Sequence, residues 1–365
     1  MQAARIELPD VTLIEDAPLR ARNTLRVAAR STWLAELRDP AALPALLAQP
    51  ALRAAPLLVL GGGSNVLFIA DWPGLIVQMR NDAITVMDET ADPVHLRVGA
   101  GMAWDDLVRW TLARGLAGLE NLILIPGSVG AAPIQNIGAY GVEVAAYIQA
   151  VEAWDRAQDT WVTLAADDCA FGYRDSCFKR EPARWIITAV HLALPRQAPL
   201  QLDYAGIRAE LTAMGVADPR PPHVAEAVLR LRTRKLPDPA QIGNAGSFFK
   251  NPVLDAAQAA TLMAAFPAVP HWPQDDGRSK ISAAWLIEQA GCKGLRTGDA
   301  GISDRHALVL VNHGAASGAQ LWALAQEVQA RVQQRFGVML EPEPRVLPEA
   351  HDRYRNGVDK TAPHA

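Results

Sequence analysis

Residues 60–68, "LGGGSNVLF", place three consecutive glycines at the end of a short apolar run. Such a run predicts a buried strand, and the glycines predict a tight turn after it. A dinucleotide-binding loop needs a third spaced glycine and then a helix, but Val66 occupies the position of that glycine. The following residues, "VLFIADWPGLIV", predict a strand, a turn and a second strand. The sequence therefore excludes a Rossmann-type loop here, and no Gly-Lys-Ser or Gly-Lys-Thr of a Walker loop occurs.

The same loop offers a run of backbone N–H groups beside two small polar side chains, Ser64 and Asn65. Successive amides of this kind form a concave nest that suits a pyrophosphate. An ordinary hairpin turn has the same composition. Both interpretations stay open at this point.

A second glycine-rich segment, "IPGSVGAAPIQNIGAYG", covers residues 125–141. It is too long and too apolar for a simple solvent-exposed loop, and buried irregular backbone needs partners for its N–H and C=O groups. A large bound cofactor would supply such partners, and buried water would do so as well.

A third segment, "GNAGSFFKNP" at residues 243–252, isolates one hydroxyl, that of Ser247, between flexible residues and two phenylalanines. The glycines permit positive φ angles, and Phe248 and Phe249 would exclude water. A plain turn leading into a strand is the alternative.

The composition limits the classes of function. The 365 residues carry a net charge of −4, are 50% hydrophobic, and suffice for two or three domains. This balance indicates no nucleic-acid partner, and no window approaches the apolar length of a membrane span. The three cysteines form no CxxC and the histidines match no metal spacing, so we expect no metal site and a reducing, cytoplasmic location. We expect a monomer, because no long exposed apolar stripe is present.

Several helices are predicted from periodicity and end signals. Residues 103–114 place an apolar face on one side, with Gly115 as the stop. A helix beginning at the proline pair 221–222 is predicted to stop at Pro237. The clearest helix follows Ser317, which forms a predicted capping box with Gln320, and Gly337 closes it.

Eight motifs in fixed order resemble one family. They are "LGGGSNVLF", "IPGSVGAAPIQNIGAYGVE", "FGYRDSCFK", "RKLPDP", "GNAGSFFKNP", "AAWLIEQAG", "ALVLVN" and "LEPEPR". Together they resemble the UDP-N-acetylenolpyruvoylglucosamine reductase family over roughly residues 10 to 347. The resemblance implies an FAD enzyme that uses NADPH to reduce the enolpyruvyl ether of a UDP-sugar to UDP-N-acetylmuramate, a peptidoglycan precursor.

The resemblance also implies the fold, an α+β vanillyl-alcohol-oxidase/PCMH-type FAD-binding fold of two subdomains with a C-terminal α+β substrate-binding domain. The expected boundaries are 1–198 for the FAD-binding domain, split near residue 80; 199–218 for a connector; 219–348 for the C-terminal domain; and 349–365 for a disordered tail.

Three catalytic residues are implied by the resemblance: Ser247, Arg174 and Glu343. Hydride addition leaves electron density beside the substrate carboxylate, so the enzyme must stabilise that charge and deliver a proton. Ser247 is expected to give the proton, and the planar fork of Arg174 to bind the carboxylate. Glu343 would orient this cluster or assist the proton transfer, unless Pro344 tilts it.

The resemblance assigns binding roles to further residues. The expected cofactor contacts are Gly61, Gly62, Gly63, Ser64, Asn65, Pro126, Gly127, Ser128, Gly130, Gln135, Asn136, Gly138, Ala139 and Gly141. The expected substrate contacts are Tyr173, Tyr204, Lys235, Asn251 and His306. Tyr204 matches a mobile-loop tyrosine of the longer, tyrosine-loop subgroup. His306 stands where relatives carry glutamine.

Two other functions remain open from the sequence. A flavin oxidase of the same fold would act on an alcohol or sugar with O2, and a His or Cys for covalent flavin attachment would favour it; neither glycine loop contains one. A UDP-sugar-binding protein without activity is the other alternative, and the presence of Ser247, Arg174 and Glu343 speaks against it.

Overall fold

The computed structural model describes residues 8–349, and the predicted disordered tail lies almost wholly outside them. The chain forms two compact units. Within the described residues, the first unit contains 8–17, 31–62 and 73–234, and the second contains 18–30, 63–72 and 235–349. The chain thus passes to the second unit after residue 234, whereas the sequence predicted a domain boundary after residue 218. The apolar side of helix Pro221–Lys235 packs into the core of the first unit, which explains this difference.

Two sheets build the first unit. The smaller has the strand order Val11–Pro18, Arg30–Leu37, Trp72–Met79 and Leu57–Val59, and its last pair is parallel. The larger is antiparallel, with the order Thr160–Ala165, Ile148–Asp155, Trp185–Leu194, Val94–Gly99 and Ile84–Asp88. A short hairpin pairs Gly138–Ala139 with Val142–Glu143 inside the second glycine segment.

The helices of the first unit are short, apart from Trp104–Ala113 and Pro221–Lys235. The others are α-helices Leu43–Leu47, Pro50–Arg53, Cys177–Arg180 and Ile207–Ala213, with 3-10 turns Pro40–Ala42, Glu120–Leu122, Val129–Ala131, Val144–Ala146 and Asp167–Cys169. Helix Trp104–Ala113 confirms the predicted element: Trp104, Leu107 and Val108 are buried, and Gly115 follows at φ +70°.

The second unit contains three small sheets. The first has the strand order Gly243–Ser247, Val309–Asn312, Ala300–Ile302 and Arg296–Thr297. The second has the order Val253–Leu254, Ser279–Ile281 and His271–Pro273. The third is the parallel pair of Arg345–Leu347 with Val66–Phe68. Its helices are Ala256–Ala265, Ala283–Gln289 and Gly318–Phe336, with a 3-10 turn at Arg20–Arg22.

Helix Gly318–Phe336 confirms the predicted capping box. The Ser317 hydroxyl accepts from the Gln320 amide, the Gln320 side chain accepts from the Ser317 amide, and Gly337 ends the helix at φ +69°. Val328 and Val332 lie fully buried on its inner face.

Ser317→Ala should lower the free energy of unfolding by about 1 kcal/mol, because the first turn loses a hydrogen-bond acceptor for its amides. Urea denaturation measures this change. Ser317→Asn keeps an acceptor and serves as the control. Equal stability of the alanine and asparagine variants would contradict the contribution of the cap.

Some elements were not predicted from the sequence. Strands Val11–Pro18 and Arg30–Leu37 have no counterpart among the predicted elements, and helix Ile207–Ala213 lies in the segment 199–218 that was predicted to be a connector. Within residues 8–349, no helix combines the length and the apolar composition that crossing a bilayer requires.

Candidate active site

The two glycine loops of the first unit pack backbone against backbone. A Cβ on Gly62 would lie 2.9 Å from Cα of Gly127, and one on Gly61 would lie 2.7 Å from the Ser128 hydroxyl. Gly127 itself has φ +126°, a conformation that side chains disfavour. The glycines therefore permit this close approach of the two loops.

Four amides on these loops face no protein acceptor. Within residues 8–349, the N–H groups of Gly61, Gly62, Gly127 and Ser128 donate no hydrogen bond. Neighbouring amides are paired: Val129 donates to the Met102 carbonyl at 2.8 Å. Part of the second loop thus has protein acceptors for its amides, and the amides without a partner lie where the two loops meet.

This donor set fits the pyrophosphate of FAD. Adjacent amide groups form an anion-binding concavity, and glycine lets the ligand approach the main chain. The result favours the nest over the ordinary hairpin turn for residues 61–62.

Gly130 and Asn136 hold the second loop in place. A Cβ on Gly130 would lie 2.6 Å from Cβ of Ala100. The buried Asn136 side chain donates to Glu143 at 2.8 Å and to the Gly172 carbonyl at 3.1 Å, and it accepts from the Ala145 amide at 3.0 Å. The Asn136 amide is therefore fully engaged within the protein, and its predicted cofactor contact stays a prediction. Other predicted cofactor residues of this loop are Pro126, Gln135, Ala139 and Gly141.

Arg174 lies beside this loop in the first unit. Its backbone has φ +54°, and its Nη2 donates to the Gly138 carbonyl at 2.6 Å. A Cβ on Gly138 would lie 3.0 Å from Nη1 of Arg174, so glycine makes room for the guanidinium. Lys179 Nζ donates to the Arg174 carbonyl at 2.6 Å. The positive φ angle and these contacts restrain the direction of the arginine, and its predicted binding of a carboxylate stays a prediction.

Three tyrosines surround the same region of the first unit. Tyr173 is half exposed, with the Arg174 guanidinium 5.3 Å from its ring centroid. Tyr204, also half exposed, meets the Tyr140 ring edge-on at 5.0 Å. Tyr140 was not among the predicted binding residues, although its neighbours Ala139 and Gly141 were. Its place between two loop glycines was the available signal.

In the second unit, the end of the first glycine loop reaches Glu343. Gly63 is buried at φ +65°, and a Cβ there would lie 2.0 Å from the Arg22 carbonyl oxygen. Ser64 follows, and Asn65 Nδ2 donates to the Glu343 carbonyl at 3.4 Å. The Arg345 amide donates to the Asn65 carbonyl at 3.0 Å.

The backbone of the second unit brings the Ser247 segment and Glu343 together. The Glu343 amide donates to the Phe248 carbonyl at 2.8 Å, so Glu343 lies across from the residue after Ser247. On either side of Pro344, the Glu343 amide donates to the Phe248 carbonyl and the Arg345 amide to the Asn65 carbonyl. Glu341 instead pairs with Lys250 at 3.0 Å and is mostly exposed.

Two features surround Ser247, the last residue of strand Gly243–Ser247. Asn244, buried, donates to the carbonyls of Pro237 and Ile242, both at 2.9 Å, and accepts from the Gly246 amide at 3.0 Å. Phe248 and Phe249 are 1% and 2% exposed and pack edge-on. Ser247 therefore lies between a segment held by the Asn244 side chain and two buried phenylalanines that follow it in the chain. Asn244 was not predicted, although asparagine in a glycine turn is a known signal for such side-chain bonding.

The predicted substrate residues of the second unit differ in their surroundings. His306 lies close enough to Lys235 for their charges to interact. Asn251 Oδ1 accepts from the Ala283 amide at 3.0 Å, at the start of helix Ala283–Gln289. The side-chain oxygen of Asn251 thus bonds to the start of this helix, and its side-chain nitrogen remains for the predicted substrate contact.

Burial lowers the pKa of His306 below its ordinary value of 6.5, and Lys235 and Lys293 lower it further against the opposing effect of Glu288. The unfolded chain therefore binds more protons than the folded one between the lowered pKa and 6.5, so stability falls as the pH drops through this window. His306→Gln should remove this part of the pH dependence, seen as a smaller loss of melting temperature between pH 8 and pH 5. His223→Gln is the control. An unchanged dependence in His306→Gln would contradict the assignment.

The sequence and the fold both match known proteins. A family model described as the C-terminal domain of UDP-N-acetylenolpyruvoylglucosamine reductase matches residues 238–347, and one described as an FAD binding domain matches residues 33–165. The chain is 55% identical over 336 residues to the UDP-N-acetylenolpyruvoylglucosamine reductase of Xanthomonas campestris pv. campestris, covering 92% of this chain and 96% of the relative. It is 52% identical over 344 residues to that of Xylella fastidiosa, covering 94% and 98%.

Solved structures agree. The reductase from Thermus caldophilus has a TM-score of 0.62 at 28% identity, covering 93% of this chain and 99% of that one. The 6-hydroxy-D-nicotine oxidase from Arthrobacter nicotinovorans has a TM-score of 0.55 at 14% identity, covering 93% and 88%, and shows the fold alone.

The fold and the FAD-binding domain define a flavoprotein oxidoreductase of the vanillyl-alcohol-oxidase type with an added C-terminal domain, which confirms the predicted fold class. The sequence identities place it more narrowly. The chain belongs to the UDP-N-acetylenolpyruvoylglucosamine reductase family.

Proposed function

We propose that this chain, with FAD as cofactor and NADPH as reductant, reduces the enolpyruvyl ether of UDP-N-acetylglucosamine to UDP-N-acetylmuramate. The observation that carries the proposal is the end of strand Gly243–Ser247 in the second unit. The buried pair Phe248 and Phe249 follows Ser247 directly, and the Glu343 amide donates to the Phe248 carbonyl, which supports a joint role for Ser247 and Glu343. Family membership over nine-tenths of the chain supports the same reaction.

The cofactor is held by main-chain donors in this proposal. The amides of Gly61, Gly62, Gly127 and Ser128 bind its pyrophosphate, since they lack protein acceptors. FAD held there would supply the redox chemistry, carrying hydride from NADPH to the substrate carbon distal to the carboxylate.

The catalytic side chains handle the resulting charge. Arg174, aimed by the Gly138 carbonyl, binds the substrate carboxylate and stabilises the negative charge that grows there. Ser247 donates its hydroxyl proton to the carbon next to that carboxylate, and Phe248 and Phe249 keep water from competing. Glu343 orients this proton transfer. The step consumes one hydride and one proton and yields the lactyl ether.

The remaining predicted residues bind the UDP-sugar. Lys235 meets the diphosphate as a point charge. Tyr173, Tyr204, Asn251 and His306 complete the site, with Tyr204 closing over the substrate as in the tyrosine-loop subgroup. We also propose that the chain is a cytoplasmic monomer with no nucleic-acid or membrane partner. Its product would enter cell-wall synthesis, on which cell shape and division depend.

A product assay tests the reaction. Purified enzyme with NADPH and the enolpyruvyl UDP-sugar should consume both in equal amounts and give a product heavier by two hydrogen atoms. The alternative alcohol or sugar oxidase would instead release peroxide from O2 without any UDP-sugar. That outcome would overturn the proposal.

A further inference from the structure

Asn121 joins two distant segments of the first unit. It is fully buried in the 3-10 turn Glu120–Leu122. Its Nδ2 donates to the carbonyl of Tyr140 and to the carbonyl of Gln201, both at 2.9 Å. The first acceptor belongs to the cofactor loop and the second to the segment that leads to Tyr204.

The direction of the Asn121 amide is determined by its surroundings. Its Oδ1 is buried and has no hydrogen-bond partner within residues 8–349. Rotating the amide by half a turn would place that oxygen against two carbonyl oxygens, which repel it. Both N–H groups are thus committed to the two carbonyls, at the expense of an unsatisfied acceptor.

Residues 202–205 form a short segment, called the Tyr204 arm, between Gln201, whose carbonyl bonds to Asn121, and Gly206. Residues 203–205 are exposed, and Gly206 at φ +101° begins helix Ile207–Ala213. A Cβ on Gly206 would meet Leu231 at 3.3 Å, so this end is tightly placed as well. Tyr204 stands on the arm, with its ring against Tyr140, whose own carbonyl Asn121 holds.

We propose that Asn121 is a positioning residue for substrate binding: it ties the base of the Tyr204 arm to the cofactor loop, so that residues 202–205 alone move when Tyr204 closes. This proposal rests on the proposed function, because Tyr204 matters only if a UDP-sugar binds. Without the tie, the arm gains length and conformational freedom, and ordering it over the substrate costs more.

Asn121→Ala should raise KM for the enolpyruvyl UDP-sugar about tenfold, the effect expected from losing hydrogen bonds that fix the arm. The rate of flavin reduction by saturating NADPH should stay within about twofold of wild type, since this step does not use the arm. Hydrogen exchange of residues 199–206 should become faster in the variant. Asn81→Ala is the matched control: Asn81 also has a buried unpartnered Oδ1 and donates to one carbonyl, that of Thr188, at 2.8 Å.

A double-mutant cycle separates positioning from general stability. In a Tyr204→Ala background, Asn121→Ala should raise KM no further, because the tyrosine it positions is already absent. Additive effects, or equal losses in flavin reduction and KM, would overturn the proposal. Asn121→Ser, which keeps one donor, should give an intermediate KM and serves if the alanine variant does not fold. If wild type turns over no UDP-sugar, the proposed function fails, while unchanged exchange of residues 199–206 in the variant would contradict the tie itself.

Discussion

Ser247→Ala is expected to let NADPH reduce the flavin at the wild-type rate while turnover of the enolpyruvyl UDP-sugar falls about 10²- to 10⁴-fold. The reason is that hydride transfer from NADPH needs no proton from Ser247, whereas saturation of the alkene does. We expect Phe248 and Phe249, both almost fully buried, to exclude the water that could replace the missing donor. Stopped-flow absorbance measures the two half-reactions separately.

Two further serine variants make this result specific. Ser247→Cys keeps a proton donor of similar size and should recover part of the turnover. Ser279→Ala removes a hydroxyl from strand Ser279–Ile281 of the same unit and should not change turnover. Normal turnover in Ser247→Ala would show that the proton comes from elsewhere.

Gly130→Ala is expected to weaken FAD binding about ten- to hundredfold. The added methyl would lie 2.6 Å from Cβ of Ala100, so the second glycine loop must shift away from its support. Overpacking of this kind costs about 1–3 kcal/mol. The Gly127 and Ser128 amides precede the shifted residue and would move from their places opposite Gly61 and Gly62.

The flavin content of the purified protein, and titration of apoprotein with FAD, measure this loss. Gly172→Ala is the matched control, because a Cβ there would meet its nearest neighbour, Asp175, at an ordinary 3.7 Å. Full flavin loading of Gly130→Ala with weakened loading of Gly172→Ala would contradict the assigned geometry.

The sequence predicted elements whose signals are local. Helix Gly318–Phe336 carries its cap, its apolar period and its closing glycine within one stretch, and all three occur in the structure. Strand Val11–Pro18 was not predicted. Buried and exposed residues do not alternate regularly along it, so the two-residue period that indicates a strand is missing. Long-range pairings had no local signal either. The parallel pairing of Arg345–Leu347 with Val66–Phe68 places part of the first glycine loop in the second unit.

The candidate site shows the same division. The family resemblance singled out Ser247 and Glu343, and the hydrogen bond from the Glu343 amide to the Phe248 carbonyl brings their segments together. The supporting asparagines, Asn121 and Asn244, were not predicted. Each bonds carbonyl groups through a buried amide, and which carbonyls lie within reach depends on the folded backbone. Asn251 shows the reverse case: a predicted substrate residue that also caps a helix.

The visible absorbance spectrum of the purified protein tests the central claim most directly. We predict a yellow protein with the bands of oxidised flavin, which bleach when NADPH is added without oxygen and return when the enolpyruvyl UDP-sugar follows. A protein that stays colourless after incubation with FAD, or a reduced flavin that the UDP-sugar fails to reoxidise, would contradict it.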